Sequence, residues 1–156
     1  QTGETSVIDD VRLLFPLYSS EMYGPRLFHE PYVERATKPR SYVDTHPHIG
    51  KLGVIIHQMS ELAKRYDFEV TIITAPSAPR LYAQYFEDFP QISDLPHFND
   101  YVLEHAEHAG LDTLDLLRLL APFAESEMLY WRDDTHWDVR GNEVVAELVE
   151  AHVFGN

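Results

Sequence analysis

The run Phe68-Glu69-Val70-Thr71-Ile72-Ile73-Thr74-Ala75 constrains this chain more than any other feature. Its β-branched side chains crowd a helix and suit a pleated strand. Pro76, Ala78 and Pro79 end it. Apolar side chains fall on both sides of the pleat, so both faces need cover, which is the condition of a central strand in a parallel sheet.

Helices are expected on either side of that strand. Leu52, Ile55, Ile56, Met59, Leu62, Ala63 and Tyr66 recur at helical spacing, with Glu61, Lys64 and Arg65 opposite. After the strand, Phe98–Ala109 reads as a second helix closed by Gly110, and Leu111–Leu116 as a second short strand. Residues 117–130 read as partly helical with a break at Pro122. Val139–Val153 reads as a last helix buried through Val145, Leu148, Val149 and His152 or Val153. Helices and strands in this alternation predict an α/β fold, a parallel sheet flanked by helices. Two clear strands are few for an open sheet; either Val11–Phe15 and another segment add strands or, the favoured expectation, the sheet is incomplete here and an upstream segment or a partner chain completes it.

The first 50 residues differ in character. Pro16, Pro25, Pro31, Pro39 and Pro47, with Gly24 and Gly50, break long elements there. Val11–Leu17 allows either a short helix or a strand, while Tyr18, Tyr23, Phe28 and Tyr32 suit a loop that packs. The expected division is therefore an irregular segment, 1–50, and the α/β part, 51–156.

Charge narrows the function classes. The net charge is −14, and the longest basic run is the Lys64-Arg65 pair. Such a surface repels phosphate backbones and anionic lipid heads, which argues against nucleic-acid partners. No run approaches the roughly 20 apolar residues of a membrane helix, so no membrane insertion by this segment is expected. The absence of cysteine excludes disulfides, thiol catalysis and cysteine-based zinc sites.

Chemistry concentrates in Arg132-Asp133-Asp134-Thr135-His136-Trp137, with Asp138 and Gly141 following. A carboxylate near a histidine can accept the Nδ1–H bond, fixing the tautomer and leaving Nε2 to take a proton from a nucleophile. Trp137 is expected to wall one side of the imidazole, and Gly141 to let the last helix approach closely. The competing interpretation is structural: Asp133 or Asp134 caps that helix and His136 packs.

In order and motif, residues 51–153 resemble the SGNH (GDSL-type) hydrolases, which include carbohydrate O-acetyl esterases and acetyltransferases. Phe68–Pro76 resembles a late strand and its proline-containing loop. Phe98-Asn99, the helix to Gly110 and Leu114-Asp115-Leu116 resemble the unit after it, and Asp133 to Trp137 with Gly141 and Ala146 the final Asp-x-x-His block. The resemblance implies a flavodoxin-like three-layer α/β fold, with His136 as general base and Asp133 as its orienting carboxylate. Asp134 competes for that role, because related alginate acetylation proteins use an Asp-x-His spacing in a similar Asp-Thr-His-Trp sequence. No cofactor or metal is implied. The implied partner is a carbohydrate or small-molecule ester, and an extracytoplasmic location is favoured.

This chain departs from the family pattern in lacking Gly-Asp-Ser and Gly-x-Asn-Asp strings; Ser19-Ser20 and Ser77 lack the matching context, and Phe98-Asn99-Asp100 falls at the wrong point in the order. The expectation is a C-terminal part of a longer domain whose serine lies upstream. Its alternative is a non-catalytic SGNH-like binding module or assembly subunit. Elsewhere, Asp44, His46 and His48 alternate as a strand-borne metal site would, although a loop serves the same sequence. His105 and His108, among Glu104 and Glu107, suit a solvated helix face. Tyr82, Tyr85, Phe86 and Phe89 suit core packing or a lid, with a sugar-stacking platform as the sharper alternative.

Overall fold

A computed structural model describes residues 17–90, 98–132 and 134–155. Two short strands open it: β1 (Leu17–Tyr18) and β2 (Arg26–Leu27) pair antiparallel. Gly24 turns between them at φ +67°, donating its N–H to Ser20. Helices α1 (Glu30–Thr37) and α2 (Arg40–Asp44) follow, then α3 (Ile49–Tyr66). Residues 11–16, expected as a strand or short helix, lie outside the described residues, as do 91–97.

The predicted strand forms as β3 (Thr71–Thr74), four residues rather than eight. It pairs in parallel with β4 (Asp112–Asp115), Thr71 opposite Asp112 and Thr74 opposite Asp115. Between them run α4 (Ala78–Tyr82) and α5 (Phe98–His108). Gly110 closes α5 at φ +74°, and the Leu111 N–H returns to the Ala106 carbonyl, a left-handed helix end that glycine adopts without strain. After β4, Asp115 accepts from Leu117 N–H at 3.0 Å and starts α6 (Leu116–Leu120). Pro122 breaks the helix there, and a 3₁₀ turn, Phe123–Glu125, follows. The last helix, α7, spans Val139–Phe154.

The architecture is α/β with a two-stranded parallel sheet flanked by helices, and the sheet is incomplete among the described residues. Its exposure pattern shows this. Ile73 is 41% exposed, and on α3 so are Ile55 at 51%, Leu62 at 44% and Tyr66 at 66%. Ile73 shares a face with its register partner Leu114, which is buried in the core, so among the described residues the expected cover of β3 is partial and stops at its open edge. Along α3 the buried line runs through Ile56 and Ser60, where Ser60 Oγ donates to the Ala109 carbonyl at 2.7 Å. A small residue at this line lets α3 approach α5, as Gly53 does against His105.

The main core packs on the Leu114 face. Tyr18, Phe28, Val33, Leu81, Tyr82, Phe86, Phe89, Leu114, Leu116, Leu120, Leu129 and Val144 form one cluster. Residues 18–33 thus contribute to the same core as the sheet, and Tyr82, Phe86 and Phe89 are core-packing residues. The α7 stripe keeps Val145, Leu148 and Val149 on the core side as expected, but its most buried residue is Val144, which is fully buried, and Val153 is 46% exposed. Arg40 ties α2 to α5 through Glu104, at 3.0 and 2.7 Å, and this pairing holds the Glu104 carboxyl below its usual range.

Candidate functional site

Residues 129–138 form a hairpin-like loop. Tyr130 bridges to Trp137 antiparallel, Trp131 N–H donates to the His136 carbonyl at 3.1 Å, and Asp138 N–H to the Leu129 carbonyl at 3.0 Å. This ladder places Trp131, Arg132 and Asp134–His136 at the tip. Asp138 then caps α7, its Oδ1 accepting from Gly141 N–H at 2.7 Å and satisfying a donor that the first helical turn leaves unpaired. Helix capping therefore falls to Asp138 rather than to Asp134.

Gly141 is needed for contact, not conformation. A Cβ on it would sit 2.1 Å from the Leu129 carbonyl oxygen and 3.1 Å from Trp137 Cβ, so α7 starts directly against the hairpin. This is the close approach that the sequence suggested.

At the tip, Nδ1 of His136 lies 2.7 Å from Oδ1 of Asp134. The Thr135 N–H reaches the same oxygen at 2.5 Å. These two donors, the imidazole first, hold the Asp134 carboxyl below its ordinary range. In the tautomer with the proton on Nδ1, the imidazole donates to Asp134 and leaves Nε2 open to a reacting group. The His136 side chain is 80% exposed. Asp133, named first as orienting residue, lies outside the described residues. Trp137 turns inward onto Tyr130, ring centroids 6.3 Å apart. Neighbouring residues on an extended strand point to opposite sides, so His136 faces out as Trp137 faces in.

The hairpin is tethered to the loop leaving the carboxyl end of β3. Buried Tyr130 donates its phenol to the Pro76 carbonyl at 2.6 Å. Tyr82, fully buried, accepts from Leu129 N–H and donates to the Glu127 carbonyl, both at 2.9 Å. Burial raises the pKa of both phenols, so both remain protonated donors. Tyr130 did not stand out in the sequence, and Tyr82 did so for packing, a lid or sugar stacking rather than for this tether, because their partners are backbone carbonyls 54 and 45 residues away.

Asp134 and Thr135 border a narrow cleft with Phe28, His29, Tyr32, Ala78 and Pro79. Tyr32 also borders a larger groove of about 500 Å³, lined by Arg35, Lys38, Tyr42, Val43, His46, Ala75, Ser77 and Phe98. Arg35 lies over the Tyr32 ring and Lys38 over the Tyr42 ring, at 5.5 and 5.2 Å, so the groove combines aromatic faces with cations, and among the described residues no carboxylate lines it.

The matching family is described as "SGNH hydrolase-like domain, acetyltransferase AlgX", and it covers residues 37–155. The chain belongs to this SGNH hydrolase-like family. The expected relationship is thereby established, and the α/β fold with its parallel strand pair is that of an SGNH hydrolase-like domain. No curated protein and no solved structure gives a significant match to the chain.

Other residues singled out in the sequence find different places. Asp44 accepts from Arg40 Nε at 2.8 Å. The His46 and His48 rings stand 5.8 Å apart in the turn before α3, where His46 Nδ1 takes the His48 N–H. The turn replaces the extended geometry that a strand-borne ligand set would need. Among the described residues no group of three His, Cys, Asp or Glu is placed to hold a metal ion. His105 is not simply solvated but stacks on Tyr101, centroids 4.2 Å apart. Ser20 is buried and accepts the Tyr23 N–H at 3.2 Å, a turn-forming role. Ser77 precedes α4 and lines the larger groove. Among the described residues, no helix is long and apolar enough to cross a membrane.

Proposed function

We propose that this chain supplies the acid–base part of an acyl-transfer site, working on an acylated carbohydrate or small alcohol. The observation that carries this is the His136–Asp134 contact at 2.7 Å on an exposed loop beside the β3 exit. In open parallel sheets the loops at the carboxyl ends of strands are where reacting groups gather. Membership in the SGNH hydrolase-like family supports the same chemistry.

The mechanism runs through a serine not assigned among the residues of this chain. Its Oγ attacks the ester carbonyl carbon, and Nε2 of His136 accepts the hydroxyl proton. The tetrahedral intermediate expels the alkoxide, which takes that proton from Nε2 and leaves as the alcohol. The acyl-enzyme is then discharged by water or an acceptor alcohol, whose proton again passes to His136 and on to the serine. Asp134 holds the imidazole orientation and stabilises the transient imidazolium, with Asp133 as the competing carboxylate. The aromatic faces of Tyr32, Tyr42 and Phe98 in the neighbouring groove suit a sugar ring. We take residues 51–156 as the C-terminal part of an SGNH-like domain and residues 1–50 as an irregular segment before it, from which Tyr18, Phe28 and Val33 join the core.

Labelling with a fluorophosphonate, which reacts with activated serines, tests this in the full-length protein. Wild type should label on one serine, and His136→Ala should not. A wild type that remains unlabelled, while folded, would contradict the catalytic role and favour a binding module.

A further inference from the structure

His136 owes its place to a hairpin rather than to contacts of its own ring. Among the described residues the imidazole is bonded to Asp134 alone, and Asp134 sits two residues away on the same exposed tip. The pair can therefore keep its 2.7 Å contact while the whole tip moves. What fixes the tip against the sheet is at its base. There, buried Tyr130 spans from the hairpin to the Pro76 carbonyl, two residues beyond the end of β3. Its ring stands perpendicular to that of Tyr82, at 6.2 Å and 86°, and packs against Trp137 at 6.3 Å and 61°. Tyr82, Tyr130 and Trp137 thus pack ring against ring, a column at the base of the hairpin. The sole polar link from that column to the β3 exit loop, among the described residues, is the Tyr130 phenol.

We propose that Tyr130 is a positioning residue: its hydrogen bond to the Pro76 carbonyl locks the His136 hairpin to the β3 exit loop. This rests on the acyl-transfer role assigned to His136. A nucleophile and its base must meet within hydrogen-bond reach, and a displacement near 1 Å can cost about 100-fold in rate. Removing the phenol oxygen leaves the ring column and the Tyr82 bonds to Leu129 and Glu127 in place but frees the link to the β3 exit loop. The Pro76 carbonyl also loses its donor.

The test compares wild type with Tyr130→Phe by backbone ¹⁵N relaxation, on the folded protein and without reference to turnover. Exchange broadening should appear at Thr135, His136 and Trp137 but not along Ile56–Ser60 of α3. Relaxation identical to wild type would overturn the proposal. If Tyr130→Phe does not fold, native-state hydrogen exchange of the wild type decides. The Trp131 and Leu81 amides, which lie on the two tethered segments, should open with one common free energy. A Trp131 opening far easier than that of Leu81 would overturn it.

Kinetics on p-nitrophenyl acetate, with the full-length protein, separate this from the function itself. Tyr130→Phe should lower kcat about 10- to 100-fold with KM within about twofold. 4-Aminophenylalanine at position 130, which keeps a donor, should restore it. Full activity in His136→Ala would remove the acyl-transfer role. Loss in His136→Ala with wild-type kcat in Tyr130→Phe would remove only the positioning role.

Discussion

Nδ1 of His136 and Oδ1 of Asp134 are 2.7 Å apart on a loop tip where both side chains face solvent. The contact selects the imidazole tautomer with its proton on Nδ1 and directs Nε2 outward. Asp134→Ala should therefore lower acyl-transfer kcat by about 100- to 10,000-fold and shift the His136 ring nitrogens toward a mixed tautomer in ¹⁵N spectra. Asp133→Ala should leave the ring spectrum unchanged. A ranking in which Asp133→Ala is the damaging change would transfer the orienting role to Asp133.

Gly141 tests how tightly α7 is held to that loop. Gly141→Ala puts a methyl 2.1 Å from the Leu129 carbonyl oxygen, and backbone cannot yield cheaply. It should cost about 3 kcal/mol or more in urea unfolding. Gly50→Ala, in the first turn of α3 with nothing within 4 Å, should instead stabilise by about 0.5–1 kcal/mol. Equal effects would mean that the close approach is absent.

The far end of α7 gives a pH dependence. Asp112 accepts from Thr71 Oγ1 at 2.7 Å and pairs with His152 Nε2 at 2.8 Å. The threonine hydroxyl first, then His152, hold its carboxyl below the ordinary range. A depressed carboxylate contributes its stability above the usual carboxylate range and loses it as pH falls through the lowered value. Acid should thus release the end of α7 from β3 and β4. Thr71→Val should move this acid transition to higher pH in urea midpoints measured against pH, and an unmoved transition would contradict the assignment.

Core register gives a fourth outcome. Val144 is fully buried and Val145 only partly so. Val144→Ala should cost about 2 kcal/mol, and Val145→Ala less than about 1 kcal/mol, by thermal or urea unfolding. The reverse order would place α7 a residue out of register.

These cases show where the sequence was legible. The β-branched run around Ile72 and the helical periodicity of 52–66 announced strand and helix because local sterics and burial set both. Gly110 and Pro122 marked ends for reasons carried by single residues. The α3 stripe was only half right. Periodicity identifies an apolar surface, but which part is covered depends on neighbours, and Ile55, Leu62 and Tyr66 lie on the uncovered side. Likewise Val144 and Val145 are equivalent to any periodic pattern until Gly141 presses against Leu129. At the site, the Asp-Thr-His order was visible because the partners are sequence neighbours. The Tyr82 and Tyr130 tethers were not, since their acceptors are backbone carbonyls of distant segments.

The central claim is that His136 is the general base of an acyl-transfer reaction. Its most direct measurement is the rate of p-nitrophenyl acetate hydrolysis by the full-length protein, wild type against His136→Ala, with circular dichroism checking the fold. The expected result is a loss of several orders of magnitude in kcat with an unchanged spectrum. A folded His136→Ala protein that retains the wild-type rate would contradict the claim.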